Sequence, residues 1–194
     1  MDKKILKLGI FLMLVAGITS FALSSLNDLT SSIIAENQRR ATELAMLEVY
    51  PEAEGFQDLG EEKEPGILKI TEALRDGKVT GIVYQIETSG YGGPIKLMVA
   101  FDLASAEITG VRILAQTETP GLGSNAKEPY FLDRFLGATA EEELTVVKSE
   151  AKNNKEIQAL TAATVTSKAV AKGINQASEH FRENYLQGGV ANES

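Results

Sequence analysis

Cysteine is absent from this sequence of 194 residues, and His180 is its one histidine. Without cysteine there is no disulfide bond, no cysteine nucleophile, and no thiolate ligand for zinc or for an iron–sulfur cluster. A metal or haem site built from several histidines is excluded in the same way. Because His180 lies in a polar stretch, we predict a solvent-exposed helix residue there. We predict neither catalytic residues nor metal ligands in the chain.

Basic side chains are also scarce: 19 Lys and Arg stand against 27 Asp and Glu, and the net charge is −8. Proteins that bind nucleic acid need clustered Lys and Arg to neutralise phosphates. No such cluster follows residues 1–7, so the composition argues against nucleic-acid binding. The length suits one domain of ordinary size with additional segments.

One long run, residues 8–26, contains no charged side chain. As an α-helix these residues would extend about 28 Å, close to the ~30 Å hydrocarbon core of a bilayer. Three lysines precede the run, and the next basic residue is Arg39. By the positive-inside rule we predict a single-pass protein of the cell inner (cytoplasmic) membrane, with residues 1–7 cytoplasmic, residues 8–26 transmembrane and the remainder extracytoplasmic. A cleaved signal peptide that ends near Ser20 or Ser24 is the alternative.

Residues 27–65 predict a helical stalk followed by an acidic connection. Residues 29–49 are rich in Ala, Glu and Leu, which favours a helix, and Pro51 is expected to end it. Residues 52–65 are acidic, contain glycine and proline, and have no clear hydrophobic period. We interpret them as a solvated connection or an irregular edge.

Residues 66–187 predict one α+β domain, in which a mainly antiparallel sheet packs with helices. Asp76-Gly77 is a strong hairpin signal, and the glycine-rich segment 89–93 predicts a tight turn or the wall of a pocket. Four consecutive strands would form a meander with one face to be covered. The predicted strands are residues 67–74, 79–88, 95–102 and 107–117.

The rest of this domain predicts a short helix over residues 127–136, a strand over 142–147 and a final helix over 168–185. The final helix has apolar residues at spacings of three and four, which suits packing on the sheet. Residues 188–194 are predicted to be a frayed tail.

The segment 160–167 is a hydroxyl-rich turn of small residues directly before the final helix. A helix start has unpaired backbone N–H groups and the positive end of the helix dipole, and therefore favours anions such as phosphate. Its threonines could donate hydrogen bonds to a phosphate or be esterified by one. An ordinary Thr/Ser helix cap is the alternative interpretation.

Two short motifs, Thr-Ala-Ala-Thr at residues 161–164 and ETPGLG at residues 118–123, resemble signatures of the RnfG and NqrC family of FMN-binding subunits. Residues 161–164, Thr-Ala-Ala-Thr, resemble the flavinylation motif, in which FMN is attached by a phosphoester to the last threonine. Gln158 stands where the family usually has an acidic residue, and Ala162 stands where it usually has glycine. Residues 118–123, ETPGLG, resemble a second signature that also follows the fourth strand; Pro-Gly favours a type II turn with positive φ at Gly121. Two signatures in the family order are more specific than either alone.

The resemblance implies covalent FMN on Thr164. The residues around the phosphate would be Thr161, Ala162, Ala163, Val165 and Thr166. The second motif would add the cofactor-binding residues Glu118, Thr119, Pro120, Gly121 and Leu122. Of these, Pro120, Gly121 and Leu122 would lie along the isoalloxazine ring or the ribityl chain.

The resemblance also implies an electron-carrier subunit of a membrane ferredoxin:NAD oxidoreductase of the Rnf type, which couples electron transfer to sodium-ion or proton translocation. Such a chain is a redox subunit rather than a complete enzyme. Its partners would be the other Rnf subunits and, for attachment of FMN, a flavin transferase. Three alternatives remain: an NqrC-type subunit of a sodium-translocating quinone reductase, a related flavin-bearing respiratory or regulatory domain, and a flavin-free membrane-anchored adaptor.

Overall fold

The computed structural model describes residues 3–60 and 64–186 of the chain. Helix α1 spans Lys3–Val49, and the chain divides into two compact units between Thr42 and Glu43. Within the first unit, Leu6–Ser25 is a 20-residue segment with mean hydropathy 2.1, long and apolar enough to cross a membrane. The helix ends two residues before Pro51, as the sequence predicts. The tail predicted at residues 188–194 lies outside the described residues.

The second unit contains an antiparallel five-stranded sheet in the order β1-β2-β3-β4-β5. All four strands of the predicted meander are present, and the α+β class is confirmed. Asp76 and Gly77 both have positive φ, 51° and 71°, as a type I′ hairpin requires. The strands are β1 Gly55–Gly60, β2 Ile67–Arg75, β3 Lys78–Ser89, β4 Pro94–Asp102 and β5 Ile108–Ala115.

Strand β1 lies where the sequence predicts a solvated connection or an irregular edge. It pairs on one side only, with β2, and four of its six residues are exposed. An edge strand of this kind needs no alternation of apolar and polar side chains, so its sequence lacks the pattern by which strands are identified.

The elements after β5 are shorter than the sequence predicts. The helix predicted over residues 127–136 is broken into two 3₁₀ turns around a four-residue helix that begins at Pro129, which has no N–H to continue a preceding helix. Strands β6 and β7 form a small parallel pair, and β7 is not predicted at all. These elements are the 3₁₀ turns Gly123–Lys127 and Asp133–Phe135, helix α2 Pro129–Leu132, β6 Thr145–Val147 and β7 Glu156–Gln158.

Helix α3, Thr164–Phe181, is followed by a π-helical turn and covers one face of the sheet. It begins four residues before the predicted start, so the threonine motif enters its first turn. The predicted apolar stripe is buried: Ile174 and Phe181 have no exposed surface, and the Phe181 ring stacks on Phe101 of β4 at 4.9 Å between centroids. Burial of such side chains contributes about 1.5–3 kcal/mol each.

The prediction for His180 is wrong. Its side chain is 7% exposed, and Nδ1 lies 3.0 Å from the hydroxyl of Tyr84 on β3. A buried imidazole is tolerated where its polar atoms are hydrogen-bonded. The partner lies 96 residues away along the chain, so the polar neighbours of His180 in the sequence gave no indication of it.

The other face of the sheet is covered by the last turns of α1. Val49 and Tyr50 are buried against side chains of β2, β3 and β4, and the Thr109 hydroxyl donates to the Val49 carbonyl at 2.8 Å. Close approach depends on glycine at Gly110 in β5, because a Cβ there would lie 2.3 Å from the Val49 Cα. A side chain at that position would therefore have to push the two backbone segments apart.

We predict that Gly110→Ala destabilises the protein by about 1–3 kcal/mol, because the added methyl group must displace backbone rather than a flexible side chain. The measurement is chemical unfolding of the full chain in detergent. Gly55→Ala at the start of β1 is the matched control, since a Cβ there meets nothing within 4 Å. Equal unfolding free energies for the two variants would contradict this account of the packing.

Candidate functional site

The two motifs lie on the walls of one cavity of about 430 Å³. It is bounded by the turn between β3 and β4, the loop after β5 and the first turn of α3. Its volume falls within the ~300–1,000 Å³ of small-molecule and cofactor sites. The lining residues are Tyr91, Glu118, Thr119, Leu122, Gly123, Ala162, Ala163, Thr164, Val165 and Thr166.

The start of α3 has no side-chain cap. Ala163 is the N-cap residue, with φ −132°, and its side chain has no oxygen to accept from the first N–H groups. The first bond of the helix runs from the Ser167 N–H to the Ala163 carbonyl, at 3.0 Å. The earlier N–H groups of the turn have no intrahelical acceptor, and the positive end of the helix dipole lies at the cavity. Such an end stabilises a phosphate.

The hydroxyl groups of this turn differ in what they contact. The buried Thr166 hydroxyl donates to Glu118 Oε2 at 2.8 Å. The Ser167 hydroxyl accepts from the Leu160 N–H at 2.9 Å and donates to the Ala163 carbonyl at 3.0 Å. Thr164 is half-buried on the cavity wall, and its hydroxyl has no hydrogen bond within residues 3–60 and 64–186. Of these three residues, only Thr164 lines the cavity with a hydroxyl that forms no hydrogen bond to a described residue.

Ala162 has φ +60°, the left-handed conformation. For a residue with a Cβ this conformation costs about 1–2 kcal/mol relative to the right-handed region, whereas glycine adopts either. The family motif usually has glycine at this position, and the backbone now supplies the reason. Nothing in the sequence of the turn indicates that this residue is the left-handed one.

The buried carboxylate of Glu118 joins the three walls of the cavity. Oε1 accepts from the N–H groups of Tyr91, at 2.7 Å, and Gly92, at 3.0 Å, while Oε2 accepts from Thr166. The chain closes tightly around it, because a Cβ at Gly90 would lie 2.2 Å from Oε1 and one at Gly123 would lie 2.3 Å from Oε2. The glycine-rich turn and the ETPGLG loop thus enclose one carboxylate.

The loop after β5 contains the predicted turn. The Leu122 N–H donates to the Thr119 carbonyl at 3.2 Å, and Gly121 has φ +75°, as a type II turn requires. The Gly121 N–H donates to the Ser124 hydroxyl at 2.9 Å, which holds the loop. Thr119 and Leu122 line the cavity, whereas Pro120 and Gly121 are exposed and outside its lining.

Thr161 and Tyr91 line different cavities. Thr161 is exposed and lines a neighbouring cavity of about 150 Å³, together with Tyr130, Arg134 and Gln158. Tyr91, which the sequence analysis did not single out, lines the main cavity with a ring that is 75% exposed. Of residues 89–93, for which the sequence predicts a tight turn or the wall of a pocket, Tyr91 lines the cavity. An aromatic residue within a glycine-rich turn was the available signal for Tyr91.

Comparison with known proteins agrees with this geometry. A family model described as the FMN-binding domain matches residues 90–179, which include both motifs. The G subunit of the Na(+)-translocating ferredoxin:NAD(+) oxidoreductase complex of Acetobacterium woodii is 34% identical, over 93% of each chain. The G subunit of the proton-translocating ferredoxin:NAD(+) oxidoreductase complex of Clostridium ljungdahlii is also 34% identical, over 84% of this chain and 83% of that protein.

Solved structures show the same fold at lower sequence identity. The C subunit of the Na(+)-translocating NADH-quinone reductase from Parabacteroides distasonis superposes with a TM-score of 0.56 and 19% identity, over 75% of this chain and 92% of that one. NqrC of Shewanella oneidensis gives a TM-score of 0.53 and 19% identity, over 74% of each chain. With 34% identity along nearly the whole of both chains to one of the G subunits, this chain belongs to the FMN-binding family formed by the G subunits of ion-translocating oxidoreductase complexes.

Proposed function

We propose that the protein is the electron-carrier subunit of an Rnf-type ferredoxin:NAD oxidoreductase, with FMN bound covalently as phosphothreonyl-FMN at Thr164. The observation that carries the proposal is the uncommitted Thr164 hydroxyl, which lies in a cavity of cofactor size at an uncapped helix start. Membership of the family supports the same conclusion.

The residues of the cavity fit FMN. The N–H groups in the first turn of α3 suit the phosphate, and the small side chains of Ala162 and Ala163 leave room for it. Tyr91, Leu122 and Val165 offer apolar surface to an isoalloxazine ring. The flavin supplies the redox chemistry, and the protein supplies attachment, orientation and electrostatics.

Attachment is a phosphoryl transfer to the Thr164 hydroxyl. The Thr164 oxygen would form a bond to the phosphorus of an FMN group activated as a phosphoanhydride. The anhydride P–O bond would break with departure of the second phosphate group, and the hydroxyl proton would be released. The positive end of α3 stabilises the negative charge of the phosphoester. A flavin transferase would supply the activated donor and the catalytic groups, because the described residues that line the cavity with Thr164 include no Lys, Arg or His.

The proposed setting is a membrane complex. The segment Leu6–Ser25 would anchor the chain, with the N-terminal lysines on the cytoplasmic side and the flavin domain outside the cell membrane. Other subunits of the complex would deliver and accept electrons. The names of similar G subunits include both sodium-ion and proton translocation, and the proposal covers either coupling ion.

We predict that co-expression with a flavin transferase gives a band that fluoresces on a denaturing gel, and that Thr164→Ala abolishes it because no oxygen remains to be esterified. Mass spectrometry of the tryptic peptide should locate the added FMN. Thr145→Ala is the control, since Thr145 is an exposed threonine on β6, away from the cavity lining. A fluorescent band that survives Thr164→Ala would rule out this attachment residue.

Ala162→Gly should stabilise the unmodified protein by about 0.5 kcal/mol, because relief of the left-handed strain outweighs the greater freedom of glycine in the unfolded chain. It should also raise the modified fraction. Ala159→Gly is the control: its φ is not positive, so the same substitution there should be destabilising. Chemical unfolding and flavin content measure the two effects, and loss of stability in Ala162→Gly would refute the strain argument.

The proposed topology predicts that protease added to intact cells without their outer layers digests the flavin domain. The reason is that residues after the apolar segment would lie outside the membrane. Intact-mass analysis of the purified protein should find residues 1–26 retained. A mature chain beginning near Ser20 or Ser24, or a domain resistant to protease until the cells are lysed, would contradict this arrangement.

A further inference from the structure

The cavity has a charged wall without a counter-charge. Glu118 is 6% exposed and lines the cavity, and none of the lining residues is Lys, Arg or His. The salt bridges formed among residues 3–60 and 64–186 do not include Glu118. Its oxygens are satisfied by hydrogen-bond donors alone, from the Tyr91 and Gly92 N–H groups and the Thr166 hydroxyl.

Each of these partners donates to a carboxylate oxygen. Backbone N–H groups can only donate, so the oxygen that faces both of them is an acceptor. Three donors on one carboxylate satisfy its oxygens without supplying a counter-charge. The positive end of α3 corresponds to only about half an elementary charge, and the phosphoester proposed at Thr164 would bring a negative charge of its own to that end.

We propose that Glu118 lowers the reduction potential of the flavin in this cavity through its uncompensated negative charge. Reduction adds negative charge to the cofactor, and a fixed anion in the wall opposes it. The effect is larger in a partly buried site than in water, because the effective dielectric constant is lower. The inference rests on the proposed attachment of FMN at Thr164. It gives the carboxylate a role beyond joining the walls of the cavity.

Two substitutions distinguish an effect of the charge of Glu118 from an effect of its hydrogen bonds. Glu118→Gln removes the charge but keeps the shape: the amide oxygen can accept from the Tyr91 and Gly92 N–H groups, and the Thr166 hydroxyl can rotate to accept from the amide nitrogen. Glu118→Asp keeps the charge but is one methylene shorter, so it disturbs the hydrogen bonds more. A charge effect therefore predicts a larger shift for glutamine, and a structural effect predicts a larger shift for aspartate.

The experiment is a redox titration of the flavin in full-length, flavinylated protein in detergent, with dye equilibration as the readout. We expect Glu118→Gln to raise the ratio of reduced to oxidised flavin about tenfold at a fixed potential, which is a shift of ~30 mV for a two-electron couple. Glu118→Asp should lie closer to the wild type. Glu107→Gln is the matched control, because it makes the same change in net charge at an exposed residue immediately before β5, outside the cavity lining.

Flavin content measured on the same samples distinguishes failure of the proposed function from failure of the inference about Glu118. Wild-type protein without covalent flavin would contradict the proposed function. Flavinylated Glu118→Gln protein with the wild-type potential would overturn the present inference alone. The inference would also be wrong if Glu118→Asp shifted the potential as much as Glu118→Gln, or if Glu107→Gln produced the same rise.

Discussion

Three segments that are distant in the sequence meet at the carboxylate of Glu118. Burial of an ionised group costs several kcal/mol unless its oxygens are fully hydrogen-bonded. The turn that contains Tyr91 and Gly92 and the helix turn that contains Thr166 are therefore held in fixed positions, since displacement of either would leave the carboxylate unsatisfied. Gly90 and Gly123 follow from the same constraint, because any side chain there would occupy the space of the carboxylate oxygens. The cavity is the consequence of this arrangement.

The sheet and its covering helix bring these segments to one end of the domain. Strand β3 ends at Ser89, β4 begins at Pro94 and β5 ends at Ala115, so the antiparallel order sets the glycine turn beside the ETPGLG loop. Helix α3 completes the site because its buried stripe fixes it on the sheet. Gly173 lets it lie close, since a Cβ there would approach Leu97 of β4 to 3.2 Å. Packing of the core thus determines where Thr164 lies.

The sequence predicts the structure correctly where the residues that determine an element are neighbours along the chain. Asp76-Gly77 encodes its hairpin in two residues, and Pro120-Gly121 encodes its turn in the same way. The four central strands and the apolar stripe of α3 follow from periodicity. The predictions were wrong or missing where the position of a residue or strand depends on a partner that is distant in the sequence. His180 is buried because Tyr84 lies opposite, and β1 forms only because β2 offers an edge. The role of Glu118 depends on a bond to a residue 48 positions away, which no local pattern encodes.

The hydrogen bonds of Ser167 fix the geometry of the turn that contains Thr164. Its hydroxyl accepts from the Leu160 N–H and donates to the Ala163 carbonyl, so the turn before α3 is closed by the chain itself. The position of Thr164 at the start of α3 therefore follows from bonds that the chain makes with itself. On the proposed function, an enzyme that attached FMN would meet Thr164 on the wall of a cavity in the folded domain, and folding would precede attachment.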